Sequence, residues 1–217
     1  SAYFGLPRPM ADPVQATIYL GMETVRTLVL SLNIFKAMKD TDIAGIKLET
    51  VWGHSTFTAG LAKRIAHEEG ASARLVDFAF MAGMLHDVGL VVLAANLPDR
   101  FRETAAATAA AGATQYKAER RILTVTHGEL GAYLLGLWGL QDPLVEAVCF
   151  HQNPCDCPNQ EFSALTAVHI ADVLAARTLH PSIEGCQPEM DADYISALGL
   201  SERMSAWEEE CQKIAEG

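Results

Sequence analysis

Residues 82–93 read AGMLHDVGLVVL, an apolar stretch that contains the adjacent polar pair His86 and Asp87. A buried charge without a partner is costly, so this pair needs a cation, a hydrogen-bond network or water. The wider apolar run over 78–95 is long enough to cross a bilayer, but a charge at its middle would be costly in lipid. The pattern therefore predicts a continuous buried helix of a soluble protein, which begins near Ser72 and carries a polar functional pair.

Apolar residues recur at three- and four-residue steps along most of the chain, whereas alternating β-branched runs are almost absent. Gly21 indicates a break between two helices in the stretch 18–35, and Pro143 suits the first residue of a later helix. Further helices are predicted over 48–68, 100–111, 116–123, 128–137, 143–150, 161–178, 191–198 and 201–215, with a loop over 151–159. The sequence predicts one all-α domain.

The composition argues against several functions. The chain has 16 basic and 27 acidic residues and a net charge of -11, which argues against a nucleic-acid partner and against an anionic membrane surface. The N-terminus lacks the basic and apolar segments of a signal peptide. Five cysteines are a sparse and odd-numbered set, so we expect no disulfide framework and a cytoplasmic location.

Polar residues within or beside apolar helices are candidate metal ligands: His54, His86, Asp87, His127, His151 and Asp172. Histidine and aspartate together suit iron, manganese or zinc. For any single histidine, a hydrogen-bonded core position is the more common alternative. His169, one helical turn before Asp172, is either a further ligand or a residue that orients one. His67 is predicted to lie on a polar helix end and His180 in a loop.

The order of these residues resembles the signature of the HD superfamily of metal-dependent phosphohydrolases. His54 in WGHSTFTAGLAKRIA, the pair in AGMLHDVGLVVL and Asp172 in VHIADVLA match its H…HD…D pattern. Longer segments are similar to the HDOD branch, a bacterial signalling-output domain: SAYFGLPRP (1–9), QATIYLGMETVRTLVLSLNIF (15–35) and THGELGAYLLGLWGL (126–140). The resemblance extends over residues 1–178.

The resemblance implies an all-α, HD-domain-like helical bundle. Residues 1–217 would form a single HDOD/HD-type domain that lacks the family's N-terminal helices, with 179–217 as a C-terminal helical extension. A divalent transition-metal site with one or two ions is implied, iron or manganese rather than zinc, in which His127 and His151 hold a second ion bridged by Asp87. His86 and Asp87 would be the catalytic residues. The expected partners are a signalling protein or an upstream receiver domain, with a nucleotide or cyclic dinucleotide as a ligand.

Two departures from the family patterns bear on catalysis. The lysine that commonly follows HDxG, and would meet a substrate phosphate, is Leu90, and the paired histidines of the related HD-GYP proteins read His151 and Gln152. A neutral leucine cannot offset phosphoryl charge. Two functions therefore remain open: a metal-dependent phosphohydrolase, and a catalytically inactive interaction or regulatory module whose metal or polar site is structural.

A separate zinc site is a further alternative. His151 is followed by Cys155 and Cys157, with Cys186 as a distant fourth ligand, although a pair of loop thiols is the simpler explanation. The three tryptophans, in contrast, are predicted to pack helices together rather than to stack on a ligand: Trp52, Trp138 and Trp207.

Overall fold

The computed structural model describes residues 21–38, 44, 47–111, 114–179 and 188–216. All regular secondary structure in these ranges is helical, as the sequence predicts. The α-helices are α1 (Met22–Met38), α2 (Leu48–Glu68), α3 (Ala73–Leu85), α4 (Val88–Asn96), α5 (Pro98–Ala111), α6 (Gln115–Ile122), α7 (His127–Leu137), α8 (Asp142–Phe150), α9 (Ala164–Thr178), α10 (Ala192–Ala197) and α11 (Met204–Glu216). Short 3-10 helices are Pro154–Asp156, within the predicted loop, and Ser201–Arg203.

Local sequence signals set several helix boundaries. Gly21 directly precedes α1 and Gly70 follows α2, and both have positive φ angles, 81° and 71°. The Ser72 hydroxyl accepts a hydrogen bond from the first turn of α3, and Pro143 lies in the first turn of α8. The predicted helix over 48–68 is confirmed at both ends. The part of the stretch 18–35 that precedes Gly21 lies outside the described residues.

The prediction of one continuous helix through the HDVG motif is wrong. α3 ends at Leu85, His86 and Asp87 form a turn, and α4 begins at Val88. The imidazole Nδ1 of His86 lies 2.8 Å from the carbonyl oxygen of Gly83. The His86 ring is thereby hydrogen-bonded to a backbone carbonyl in the last turn of α3. Asp87 stands directly before α4, but its side chain makes no capping hydrogen bond, so the carboxylate is free for partners on other helices.

The core lies between α2, α3 and α9, which pack extensively on one another. Apolar side chains on their facing surfaces are fully buried, among them Leu61, Leu85 and Ile170. α8 packs on α3 and α9, α7 packs on α8, and α4 packs on α7. This arrangement brings the ends of α3, α7 and α8 beside the central helices.

Two glycines allow the helix ends to approach each other closely. A Cβ atom at Gly89 of α4 would overlap the carbonyl oxygen of His127 and would lie 2.7 Å from the backbone nitrogen of Gly131. A Cβ atom at Gly128 of α7 would lie 2.8 Å from the carbonyl oxygen of Cys149 in α8. Any larger residue would push these backbones apart, so the two glycines set how closely α4, α7 and α8 pack.

The C-terminal helices contribute to the same core. Trp207 of α11 is completely buried, and its indole N–H donates to Glu69 Oε1 at 3.0 Å. Tyr194 of α10 is also completely buried, and its hydroxyl lies 2.8 Å from that of Thr166 on α9. The predicted packing role is confirmed for Trp207, whereas Trp138 is 38% exposed at the end of α7 and does not belong to the core.

One stretch of the described residues, Ala73–Asn96, has the length and the apolar composition that a membrane-spanning helix would need, with a mean hydropathy of 1.8. Its most apolar window is 83% buried inside the protein. The stretch spans α3 and α4 with the turn between them, and its burial is consistent with the core of a soluble protein.

Candidate metal centre

The structure brings all the predicted metal ligands together. His54 projects from α2 and Asp172 from α9, the two central helices. The other four lie at helix ends, where the chain changes direction: His86, Asp87, His127 and His151. None of the six side chains is more than 13% exposed.

The first group of ligands surrounds one oxygen of Asp87. Oδ2 of Asp87 lies 3.2 Å from His86 Nε2 and 3.9 Å from His54 Nε2. Oδ1 of Asp172 lies 2.9 Å from the same nitrogen of His54 and 3.6 Å from that of His86. Two imidazoles and two carboxylates thus converge from α2, α9 and the turn between α3 and α4.

The second group uses the other oxygen of Asp87. Oδ1 of Asp87 lies 3.3 Å from His127 Nε2, and His127 Nε2 lies 3.2 Å from His151 Nε2. Asp87 therefore presents one oxygen to each group. A carboxylate in this position is suited to bridge two ions, as the resemblance implies.

The outward-facing nitrogens of three rings are fixed by hydrogen bonds. Nδ1 of His86 bonds to the carbonyl oxygen of Gly83, and Nδ1 of His151 bonds to that of Val148, each at 2.8 Å. Nδ1 of His127 instead lies 2.8 Å from a carboxylate oxygen of Glu119. These bonds orient all three Nε2 atoms toward the centre of the cluster, which is the arrangement that metal-ligating histidines require.

Glu119 is a site residue that the sequence reasoning missed. It is completely buried on α6, and besides the His127 ring it accepts hydrogen bonds from the His127 backbone N–H and the Gln115 amide, each at 2.8 Å. The buried face of α6 consists of Gln115, Ala118 and Glu119, so it is partly polar rather than apolar. The spacing of Gln115 and Glu119, one helical turn apart and shortly before His127, is the signal that could have revealed it.

His169 orients a ligand and is not one itself. Its Nδ1 lies 2.7 Å from the carbonyl oxygen of His151, and its Nε2 accepts from the backbone N–H of Asp191 at 3.0 Å. Both ring nitrogens are therefore occupied away from the cluster. Of the two roles that the sequence leaves open, ligand or orienting residue, His169 therefore has the second. The same ring links the segment before α10 to the backbone of His151.

Carboxylates keep two of the buried histidines positively charged. Burial opposes protonation, but the carboxylates of Asp87 and Asp172 raise the pKa of His86 well above its ordinary value. Against the same effect of burial, Glu119 and Asp87 raise the pKa of His127 to about 10. Both rings are protonated at neutral pH when no metal is bound.

The third ring of the cluster, His151, is held neutral. Burial and the positive charges of His127 and His86 lower the pKa of His151 to about 4. Burial opposes ionisation, but the pKa values of Asp87 and Asp172 lie well below their usual range, since His86 and His127 face Asp87, and His54 and His86 face Asp172. An entering cation therefore meets two ionised carboxylates and one neutral imidazole, and it has to replace the protons of His86 and His127.

The residues present fit a divalent transition metal. His54, His86 and Asp87 offer three ligand atoms within 4.8 Å of one another, and so do Asp87, His127 and His151. His86 Nε2 is completely buried and makes no hydrogen bond, although it points into the cluster. The carboxylates of Asp87 and Asp172 face this nitrogen at 3.2 and 3.6 Å without hydrogen-bond geometry, and coordination to a cation in place of the proton would satisfy it.

One alternative that the sequence leaves open in this region is wrong. The alternative zinc site does not form, because the ring nitrogens of His151 bond to Val148 and face His127, and Cys155 is exposed while Cys157 is buried. Cys186 and His180 lie outside the described residues. His67, as predicted, is exposed at the end of α2.

Leu90 is a packing residue. Its side chain is 1% exposed and lies in a small apolar cluster with Leu93, Ala94 and Phe101. Within the described residues, five of the six ligand candidates form ion pairs, with one another and with Glu119, and none of these pairs involves a lysine or arginine. Among these residues, no lysine or arginine is in ion-pair contact with the cluster.

An all-α bundle with a His/Asp cluster built around an HD turn is typical of HD-type domains. A model of the HDOD domain family matches residues 1–154 of this sequence. The chain belongs to the HDOD domain family, consistent with a place in the HD superfamily.

Known proteins share similarity with this chain, and one of them is itself an HDOD domain protein. An HDOD domain protein of unknown function from Geobacter sulfurreducens is 25% identical, with a TM-score of 0.70 over 95% of this chain and 69% of its own. The MmoQ response regulator of Methylococcus capsulatus has the same fold, with 23% identity and a TM-score of 0.54 over 94% of this chain and 77% of its own. An uncharacterized protein of Treponema pallidum is 24% identical over 173 residues, 80% of this chain. The chain spans about a third of that relative's length, 33%.

Proposed function

We propose that this chain is a signalling-output module whose His/Asp cluster binds one or two divalent transition-metal ions. The observation that carries the proposal is the convergence of six candidate ligands, four of them buried and two partly buried, from α2, α7, α9 and the ends of α3 and α8, with Asp87 facing both halves of the cluster. His54, His86 and Asp172 with Asp87 would hold one ion. His127 and His151 with Asp87 would hold the second.

Iron or manganese is the metal that the family resemblance suggests. The donor set consists of imidazole nitrogens and carboxylate oxygens, and no cysteine joins either ligand group in the described residues. Such mixed nitrogen and oxygen ligands suit iron, manganese and zinc, so the reloading experiment below compares all three. Residues that hydrogen-bond to the ligands without contacting the ion, such as Glu119 behind His127, would adjust the ligand strength of the imidazoles.

Phosphoester hydrolysis is the activity that this donor set would support. A divalent ion in such a site acts as a Lewis acid on a phosphoryl oxygen and lowers the pKa of a bound water. The protein's own share would be to fix the geometry through the histidines, with Asp87 and His86 nearest to the reacting groups. A nucleotide or a cyclic dinucleotide is the substrate class that the family resemblance suggests.

A regulatory module with a structural metal site is the second candidate. The observation that favours it is Leu90, which stands where the related enzymes carry a lysine. Its side chain is buried in an apolar cluster and does not offer a positive charge. In that case the cluster would hold the bundle together, and the module would act on a signalling protein or an upstream receiver domain. The four described cysteines are free, which supports a reducing compartment such as the cytoplasm for either function.

Elemental analysis followed by activity assays separates these proposals. The protein is purified without chelator, its metal content is measured, and the metal-free form is reloaded with ferrous iron, manganese or zinc. Stoichiometric binding of iron or manganese is expected, and substoichiometric metal after reloading would overturn the metal site. Turnover of bis(p-nitrophenyl) phosphate or a cyclic dinucleotide by the loaded protein, absent from Asp87→Asn, would establish the hydrolase, and its absence would favour the regulatory module.

A further inference from the structure

Three histidines of the cluster, His86, His127 and His151, form a hydrogen bond through Nδ1, the ring nitrogen that faces away from the cluster. They differ in the chemical group that this nitrogen contacts. His86 and His151 each donate from Nδ1 to a neutral backbone carbonyl. His127 alone has a carboxylate behind it, with Glu119 Oε1 and Oε2 at 2.8 and 3.0 Å from Nδ1. A carboxylate makes the opposite nitrogen a stronger ligand, whereas a carbonyl fixes the ring with less effect on its basicity.

Glu119 is itself held rigidly. Gln115 donates its amide to Oε1 and the backbone N–H of His127 donates to Oε2, each at 2.8 Å. The carboxylate is completely buried, so water does not screen its charge. Its position relative to the ring is therefore fixed by three donors, the third being Nδ1 of His127.

The start of α7 has its own capping box, and Glu119 adds one further acceptor there, for the backbone N–H of His127. Thr126 accepts from the backbone of Glu129, and the Glu129 carboxylate accepts from the backbone N–H of Thr126, which completes a capping box. A buried carboxylate is costly unless it has a charged partner. The partner that offsets this cost is the His127 ring, which faces the cluster.

We propose that Glu119 is a positioning residue for the second ion, which it favours by orienting His127 and strengthening its Nε2 as a ligand. This inference rests on the proposed metal-binding function. It makes the two ion positions unequal: the position formed by Asp87, His127 and His151 depends on Glu119, and the position formed by His54, His86 and Asp87 does not. Occupancy of the second position is thereby tuned from α6, outside the ligand set.

The test compares Glu119→Gln with Glu210→Gln by metal titration calorimetry and elemental analysis, with manganese as the probe. Glu210 is also a buried glutamate, but its partners are Arg64 and Lys213. For Glu119→Gln we expect an affinity loss of about 10- to 100-fold at one ion position, with the other unchanged. For Glu210→Gln we expect the affinities of the wild-type protein.

Three outcomes are distinguishable. A wild-type protein that binds no ion overturns the proposed function and this inference with it. A wild-type protein that binds manganese while Glu119→Gln binds it equally well overturns the inference alone. Equal losses at both positions, or in both variants, would show a structural effect and would also overturn it.

A second measurement does not depend on the variant's folding. In the zinc-loaded wild-type protein, nitrogen-15 NMR of the histidine rings should show His127 protonated at Nδ1 and coordinated through Nε2. Coordination through Nδ1, or an unprotonated Nδ1, would contradict the role assigned to Glu119.

Discussion

The Nε2 atoms of His127 and His151 lie 3.2 Å apart inside the cluster. The Nδ1 atoms of both rings are bonded elsewhere, to Glu119 and to the carbonyl oxygen of Val148. The pKa of His127 is raised to about 10 and that of His151 is lowered to about 4, so His127 is the ring of this pair that holds a proton at neutral pH. An ion bound by both rings has to displace that proton.

Metal binding should therefore release protons and strengthen as the pH rises. At neutral pH His127 lies below its pKa of about 10 and must lose a proton to coordinate, so each upward step in pH favours the bound state. One proton released per ion corresponds to about a tenfold gain in affinity per pH unit. Calorimetry in two buffers with different ionisation enthalpies measures the release. An affinity that stays constant from mildly acidic to mildly alkaline pH would contradict it.

Asp87→Asn should weaken both ion positions, whereas His54→Gln should weaken one. Asp87 presents Oδ2 to His54 and His86 and Oδ1 to His127, while His54 belongs only to the first group. Loss of a direct ligand should exceed the about 10- to 100-fold effect of losing an outer partner. Metal titration of the two variants side by side checks this. Loss of only one ion in Asp87→Asn would show that the carboxylate does not serve both groups.

Gly89→Ala should separate α4 from α7 and disturb the cluster. The added Cβ would overlap the carbonyl oxygen of His127, and such overpacking costs about 1–3 kcal/mol. Gly136→Ala on α7 is the matched control, because a Cβ there meets no atom within 4 Å. The control should gain about 0.5–1 kcal/mol from its better helix propensity. Chemical denaturation and metal titration measure both effects, and a Gly89→Ala protein as stable as the control would refute the close approach.

Leu90→Lys should destabilise the protein without creating a phosphate site. Leu90 is packed against Leu93, Ala94 and Phe101, so a lysine there would bury its charge, at a cost of about 3 kcal/mol or more. Leu97→Lys, at a position 47% exposed, is the control and should be nearly neutral. Thermal denaturation and a phosphodiesterase assay test the pair. A stable Leu90→Lys protein with new hydrolase activity would mean that this side chain can reach the cluster.

The ligand positions could be predicted from the sequence because a charged or polar group in an apolar helix needs a partner. That reasoning, with the H…HD…D pattern, pointed to His54, Asp87 and Asp172, and the structure places His54 3.9 Å from Asp87 and 2.9 Å from Asp172, which is 118 positions away in the sequence. The all-α fold followed from helical periodicity in the same way. Both inferences depend on strong, local sequence signals.

Other features depend on three-dimensional contacts that local patterns do not encode. The helix break at His86 is accompanied by a side-chain hydrogen bond to the carbonyl oxygen of Gly83, and the apolar run around it gives no sign of the interruption. Glu119 looks like one of many charged residues on a polar helix until its burial against His127 is known. Leu90 was interpreted through a family lysine, although its own environment is a separate apolar cluster.

The HD pair stands at the end of α3, a helix that runs without interruption over Ala73–Leu85. Inserting or deleting one residue in that helix would rotate its end by about 100° and displace it by about 1.5 Å along the axis. The imidazole of His86 would then turn away from Asp172, although every ligand would still be encoded in the gene. The number of residues in α3 is therefore under the same constraint as the identity of the two that follow it.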